Sequence, residues 1–156
     1  MSVFPIVVRL SINIQYFHPS YHRNIARAIL RDPKFYFYDS GYIIGNEGIK
    51  LENTCAVSLL KHVHYLQESE GRNIQLNYIR TKEKKEVDFV IIDNEHIAQM
   101  IEIKLSDNQA SSSLKYFKEK FPTAQAIQLV YNLKQEYEYN RIEIRKAGEW
   151  LGDLSA

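Results

Sequence analysis

The sequence predicts a mixed α/β domain, a mixed central β-sheet flanked by α-helices, and three observations carry that expectation. One long helical period runs through the middle of the chain, three strand-like segments follow it directly, and a shorter helix and further strands close it. Alternation of this kind buries a sheet between helical layers. With 156 residues and 45% hydrophobic content, the chain can build a substantial core as one domain.

The N-terminal "FPIVVRLSINI" has strand-like composition and is broken by "HPSY". Residues 21–31, "YHRNIARAILR", read as a short helix ending at Asp32-Pro33, because the residue before proline is pushed out of the helical region. "KFYFYD" (34–39) alternates as a strand, and Gly45-Asn46-Glu47-Gly48 offers turn chemistry. From Ile49 to Glu68 the spacing predicts a helix, with Glu52, Ala56, Leu59, Val63 and Leu66 sharing one face. A carboxylate heading an apolar stripe either projects past the helix end or points inward, where it needs a cation or donors.

Strands are expected at 73–80, 86–93 and 96–105, with Asp93-Asn94-Glu95 as a tight hairpin turn. "SDNQASSS" supplies N-caps for a helix near 110–121, with Leu114, Phe117 and Phe121 on its buried face, and Pro122 ends it. Further strands are expected at 124–133 and 139–146, and "AGEWLGDL" reads as a terminal helix.

Charge and composition narrow the function classes. A formal charge of +1 gives no global pull towards nucleic acid or membrane. Cys55 is the single cysteine, which removes an internal disulfide framework and a Cys-based zinc site. His62 and His64, two apart on a helix, point to different faces. No apolar run reaches the roughly 18 residues of a spanning helix, and the N-terminus lacks a signal-peptide cleavage site. The expectation is a cytoplasmic domain with no membrane partner.

The chemistry concentrates in "EVDFVIIDNEHIAQMIEIKL" (86–105). Strict alternation puts Asp88 on one side with Val90 and Ile92, and Val87, Phe89 and Ile91 on the other. Both sides are apolar, so the strand is expected to be buried on both faces, with Asp88 as the anomaly. A turn at 93–95 brings Asp88 near residues 100–102, and Glu102 shares a face with Lys104. Two carboxylates together repel unless a proton or metal neutralises them. Two acidic oxygens and a strand carbonyl suit Mg²⁺ (or Mn²⁺), and a lysine alongside can orient water or stabilise negative charge. The competing reading is that Glu-x-Lys is the solvated face of an ordinary hairpin.

Asp88, a hairpin, Glu102-Ile103-Lys104 and a preceding helix with Glu52 together resemble the PD-(D/E)XK nuclease superfamily, with its restriction-endonuclease-like core. Val87 stands where that motif often has proline. Over roughly residues 16–151, "YHRNIARAILRDPKFYFYDSG", "LENTCAVSLLK", "YIRTKEKKEVDFVI" and "IEIKLS" also resemble the uncharacterised domain that follows the ATPase module in prokaryotic AAA-type ATPases. The resemblance implies Asp88, Glu102 and the Ile103 carbonyl as metal ligands, Lys104 as catalytic lysine and Glu52 as accessory acid. Arg80 and Lys82 are the phosphate-contact candidates, although Arg80 suits a structural ion pair or a place beside the acids equally well. It further implies residues 1–32 as a connecting segment and 33–156 as the nuclease-like domain. The expected activity is metal-dependent hydrolysis of DNA phosphodiester bonds, with an ATPase module in cis or trans and self-association as a homodimer as expected partnerships. The alternative is a catalytically silent module of the same fold that binds nucleic acid or protein, or dimerises. The chain has no P-loop motif of its own.

Overall fold

A computed structural model describes residues 9–16, 34–39, 43, 45–81, 83–106 and 109–154. Among the described residues eight strands and three helices follow one another: β1 (Arg9–Tyr16), β2 (Lys34–Phe37), α1 (Glu47–Glu70), β3 (Ile74–Arg80), β4 (Glu86–Asp93), β5 (His96–Lys104), α2 (Ser112–Lys120), β6 (Gln125–Val130), β7 (Tyr137–Tyr139), β8 (Ile142–Lys146) and α3 (Ala147–Gly152). The strands form one mixed sheet in the order β2-β1-β3-β4-β5-β6-β8-β7. The mixed α/β architecture is therefore as the sequence predicts. The helix expected at 21–31 lies outside the described residues. Residues 9–16, grouped by sequence with a connecting segment, pair within this sheet, antiparallel to β2 and parallel to β3.

Two apolar layers cover the sheet. On one face α1 sets Ala56, Leu59, Val63 and Leu66 against Leu76, Phe89, Ile101 and Ile127, with α3 beside them. On the other, Leu114 and Phe117 of α2 pack on Val90, Met100, Ala126 and Ile142. Strands β4, β5 and β6 carry apolar side chains into both layers, which explains why they read as nearly continuous hydrophobic runs.

Local chemistry sets the ends of α1. Asn46 is the N-cap, and its side chain accepts from the Ile49 amide at 3.1 Å. Glu47 and Gly48, expected in a turn, are therefore the first helical residues. At the other end Gly71 is left-handed (φ 64°), its amide donates to Gln67 and the Arg72 amide reaches Leu66. This paired closure is the Schellman arrangement that favours glycine. The strand expected at 139–146 is in fact two: Asn140 and Arg141 both have positive φ (50° and 61°) and turn β7 back onto β8. Composition alone hides that turn because it contains no glycine. Asn94 and Glu95 (φ 47° and 66°) make the β4–β5 turn where it was expected.

Strict alternation fails at Asp88. Asn77 pairs with Val90 but Ile79 pairs with Val87, so Asp88 and Phe89 together oppose Tyr78. This bulge shifts the phase of β4. Val87 consequently packs with Val90 and Ile92 in the α2 layer. Asp88 itself meets Lys34, the partner of Glu52 on α1. The expected grouping of Asp88 with Val90 and Ile92 is corrected accordingly.

Strand β2 is tied to α1 through Asn53, a buried side chain on the helix. Its Oδ1 accepts from the Phe37 amide at 2.7 Å and its Nδ2 donates to the Phe37 carbonyl at 2.8 Å. One amide thus satisfies both backbone groups of one residue on the outermost strand. Replacing Asn53→Ala strands both and is expected to cost about 2–3 kcal/mol. The measurement is the urea midpoint at unchanged slope; a loss under about 0.5 kcal/mol would mean that β2 is held elsewhere.

Candidate functional site

The site forms at one end of the sheet, where the β4–β5 ladder stops. The last ladder pair is Phe89 with Ile101, and the same register sets Asp88 opposite Glu102. There the Asp88 side chain replaces a ladder partner: its Oδ2 accepts from the Ile103 amide at 2.9 Å.

Glu102 is 5% exposed. Its Oε1 pairs with Lys104 Nζ at 2.8 Å, while its Oε2 is buried and has no hydrogen-bond partner among the described residues. An unsatisfied buried polar atom costs about 1–3 kcal/mol, more when it carries charge. Asp88 and Glu102, the two acids singled out by sequence, are thus brought together, with Lys104 on Glu102.

Glu52 reaches the same cluster from α1, through two residues of β2. Its Oε1 accepts from Tyr36 Oη at 2.7 Å and pairs with Lys34 Nζ at 3.2 Å. Lys34 Nζ also lies 2.7 Å from Glu86 and 3.6 Å from Asp88, and 5.1 Å from the centre of the Tyr78 ring. Neither Lys34 nor Tyr36 was anticipated as a site residue. The available signal was the alternation of "KFYFYD", which sets Lys34 and Tyr36 on one side of β2, facing the helix that carries Glu52. Arg80 Nε pairs with Glu86 at 3.5 Å, at the edge of the cluster. Lys82 lies outside the described residues.

The electrostatics follow from burial and from the crowding of like charges. Burial and then the Glu102 charge push the Asp88 carboxyl up to about 7, against the pull of Lys34. For Lys34 burial opposes the charge, yet Glu52, Asp88 and Glu86 together hold its pKa above the ordinary lysine value. Burial and the Glu52 carboxylate raise the Tyr36 hydroxyl, so it remains a donor to Glu52. Burial, with Asp88 and Glu52, pushes the Cys55 thiol up to about 12, which leaves it a neutral core side chain.

The Asp88 and Glu102 carboxylates are close enough to repel here, and the Ile103 amide is bonded to Asp88. Among the described residues no three His, Cys, Asp or Glu side chains form a metal-binding group. Also among them, no helix is long and apolar enough to cross a membrane.

The raised Asp88 carboxyl has a consequence for stability. An unfolded aspartate titrates near 3.9, so between about pH 4 and pH 7 the folded chain binds the extra proton. Folding stability from this group is full below about pH 4 and declines as pH rises through 7. Asp88→Asn removes the titration and is expected to flatten the profile between pH 5 and 8. The wild type loses on the order of 1–3 kcal/mol over that range. Urea unfolding at the two pH values, with chelator present, measures the difference; equal slopes in both proteins would contradict it.

Comparison with known proteins gives one finding. The family model described as "Domain of unknown function (DUF4143)" matches residues 47–148. No curated protein and no solved structure matches the chain. The matched stretch runs from the first residue of α1 into α3 and contains Glu52, Asp88, Glu102 and Lys104, with Lys34 and Tyr36 N-terminal to it. Helix α1, the β3–β4–β5 meander with its acid pair, and the returning β6 and β8 are the matched unit, and the chain belongs to the DUF4143 family of domains of unknown function.

Proposed function

We propose that this domain is a metal-dependent phosphodiester hydrolase of the PD-(D/E)XK type acting on DNA, with Asp88, Glu102 and Lys104 at its centre. The observation that carries the reading is the buried Glu102 carboxylate, whose Oε2 has no partner among the described residues, beside an Asp88 carboxyl that burial and the Glu102 charge push up. A pair in such conflict is what a divalent cation relieves. The donor set fits Mg²⁺ or Mn²⁺: two carboxylates and the Ile103 carbonyl supply hard oxygens and leave the remaining positions to water and phosphate. When bound, such an ion supplies Lewis acidity to a phosphoryl oxygen and a lower pKa to a bound water.

The protein's own groups have separable tasks. Asp88 and Glu102 hold the cation, and Asp88 also fixes the Ile103 backbone through its amide. Lys104, half-buried and held at Glu102, supplies a positive donor for the charge that builds on the phosphate. Glu52 serves as the accessory acid and, with Tyr36, anchors the Lys34 end of the cluster. Arg80 stands at the edge as a candidate phosphate contact, released from Glu86 when substrate arrives. As the resemblance implies, the domain works with an AAA-type ATPase module, in cis or in trans.

Calorimetry with Mn²⁺ and cleavage of plasmid DNA test this together. The wild type is expected to bind Mn²⁺, Asp88→Ala to lose the binding, and EDTA to stop cleavage. Lys104→Ala is expected to keep the metal while cleavage falls on the order of 10²-fold or more. Absence of binding at millimolar Mn²⁺ would sink the hydrolase reading. Binding without any cleavage would favour a silent module of the same fold.

A further inference from the structure

The acidic cluster already contains a cation, and it is part of the chain. Lys34 Nζ sits between carboxylates from three elements: Glu86 and Asp88 of β4 at 2.7 and 3.6 Å, and Glu52 of α1 at 3.2 Å. The Tyr78 ring lies 5.1 Å away, and the Lys34 side chain is only 22% exposed. Among the described residues, Lys34 is the cation that reaches Glu52 and Asp88. Arg80 reaches Glu86, and Lys104 serves Glu102. Among the described residues, four carboxylates therefore meet three basic side chains, and positive charge is shortest at the pair that includes the orphaned Glu102 Oε2.

Resting on the metal-centre reading above, we propose that Lys34 is a built-in counter-cation. It takes a cation position of the cluster, so the centre recruits a single divalent ion, at Asp88 and Glu102, and holds it less tightly than four free carboxylates would. Two consequences follow from the charges alone. In the metal-free chain the ammonium offsets the repulsion between Glu52 of α1 and Glu86 and Asp88 of β4, and so ties β2 to both. With an ion held at Asp88 and Glu102, the ammonium beside Asp88 would repel it through partly desolvated space, where such a charge changes affinity by about tenfold or more. Lys34 is thus a positioning residue: it acts on the ion and the acids and has no part in bond cleavage. The strand that carries it is locked in place by Asn53, so the ammonium is delivered by the fold and not by a mobile side chain on a loop.

The test is Mn²⁺ calorimetry and thermal unfolding with and without Mn²⁺, on the full chain and on Lys34→Met and Lys34→Arg. The wild type is expected to bind one Mn²⁺ per chain. Lys34→Met should melt lower without metal yet bind Mn²⁺ about tenfold more tightly or add a second equivalent, so that Mn²⁺ raises its melting temperature by more. Lys34→Arg, which keeps the charge, should stay close to wild type. A purely structural lysine would lower the melting temperature with no gain in Mn²⁺ affinity, and that result overturns the proposal while the metal centre stands. If neither the wild type nor Lys34→Met binds Mn²⁺, the metal centre itself falls, and the proposal with it. Should Lys34→Met fail to fold without metal, Lys34→Gln, which retains hydrogen bonding without charge, gives the same comparison.

Discussion

Where the β4–β5 ladder ends, the Asp88 carboxylate takes over the role of a backbone acceptor and receives the Ile103 amide. The rest of the site depends on that substitution. It needs the bulge opposite Tyr78, which frees Asp88 from the apolar alternation of its strand. It turns a charged residue into structural mortar, so the acid cannot be removed without leaving an amide unpaired in a half-buried position. It also sets Asp88 against Glu102, which creates the repulsion that defines the cluster.

The two layers of the core make this possible. The central strands are clamped on both faces by α1 and α2, through Leu59, Phe89, Phe117 and Met100, all fully buried. A sheet held this firmly tolerates a few unfavourable charges at one end. Stored electrostatic conflict of this kind is paid for by packing elsewhere and is commonest where chemistry is done. The surface ion pairs elsewhere, such as Lys146 with Glu149, have no such environment and contribute little.

The β2 strand gives the site a second side. It delivers Lys34 and Tyr36 to Glu52, while Asn53 one residue along the helix grips the Phe37 backbone. Adjacent residues of α1 therefore do different work: Glu52 faces the charged cluster and Asn53 fastens the strand that supplies its partner. The stripe that begins at Glu52 and continues through Ala56, Leu59 and Val63 is apolar everywhere except at this meeting point.

The sequence by itself determined the mixed α/β class, the long helix and its buried stripe, the β4–β5 hairpin, and the candidacy of Glu52, Asp88, Glu102 and Lys104. The elements rest on periods, turns and caps that act within a few residues, whereas the four residues are grouped as one site only with the help of the family resemblance. Tertiary structure alone decided the rest. The bulge at Asp88 depends on the register against β3, and the division of 137–146 into two strands depends on left-handed residues that carry no glycine. Lys34 entered the site because β2 and β4, some fifty residues apart in the chain, are both brought to α1. Charge pairing across such separations leaves no periodic mark in the sequence, since it is set by where strands stack and not by what neighbours what along the chain.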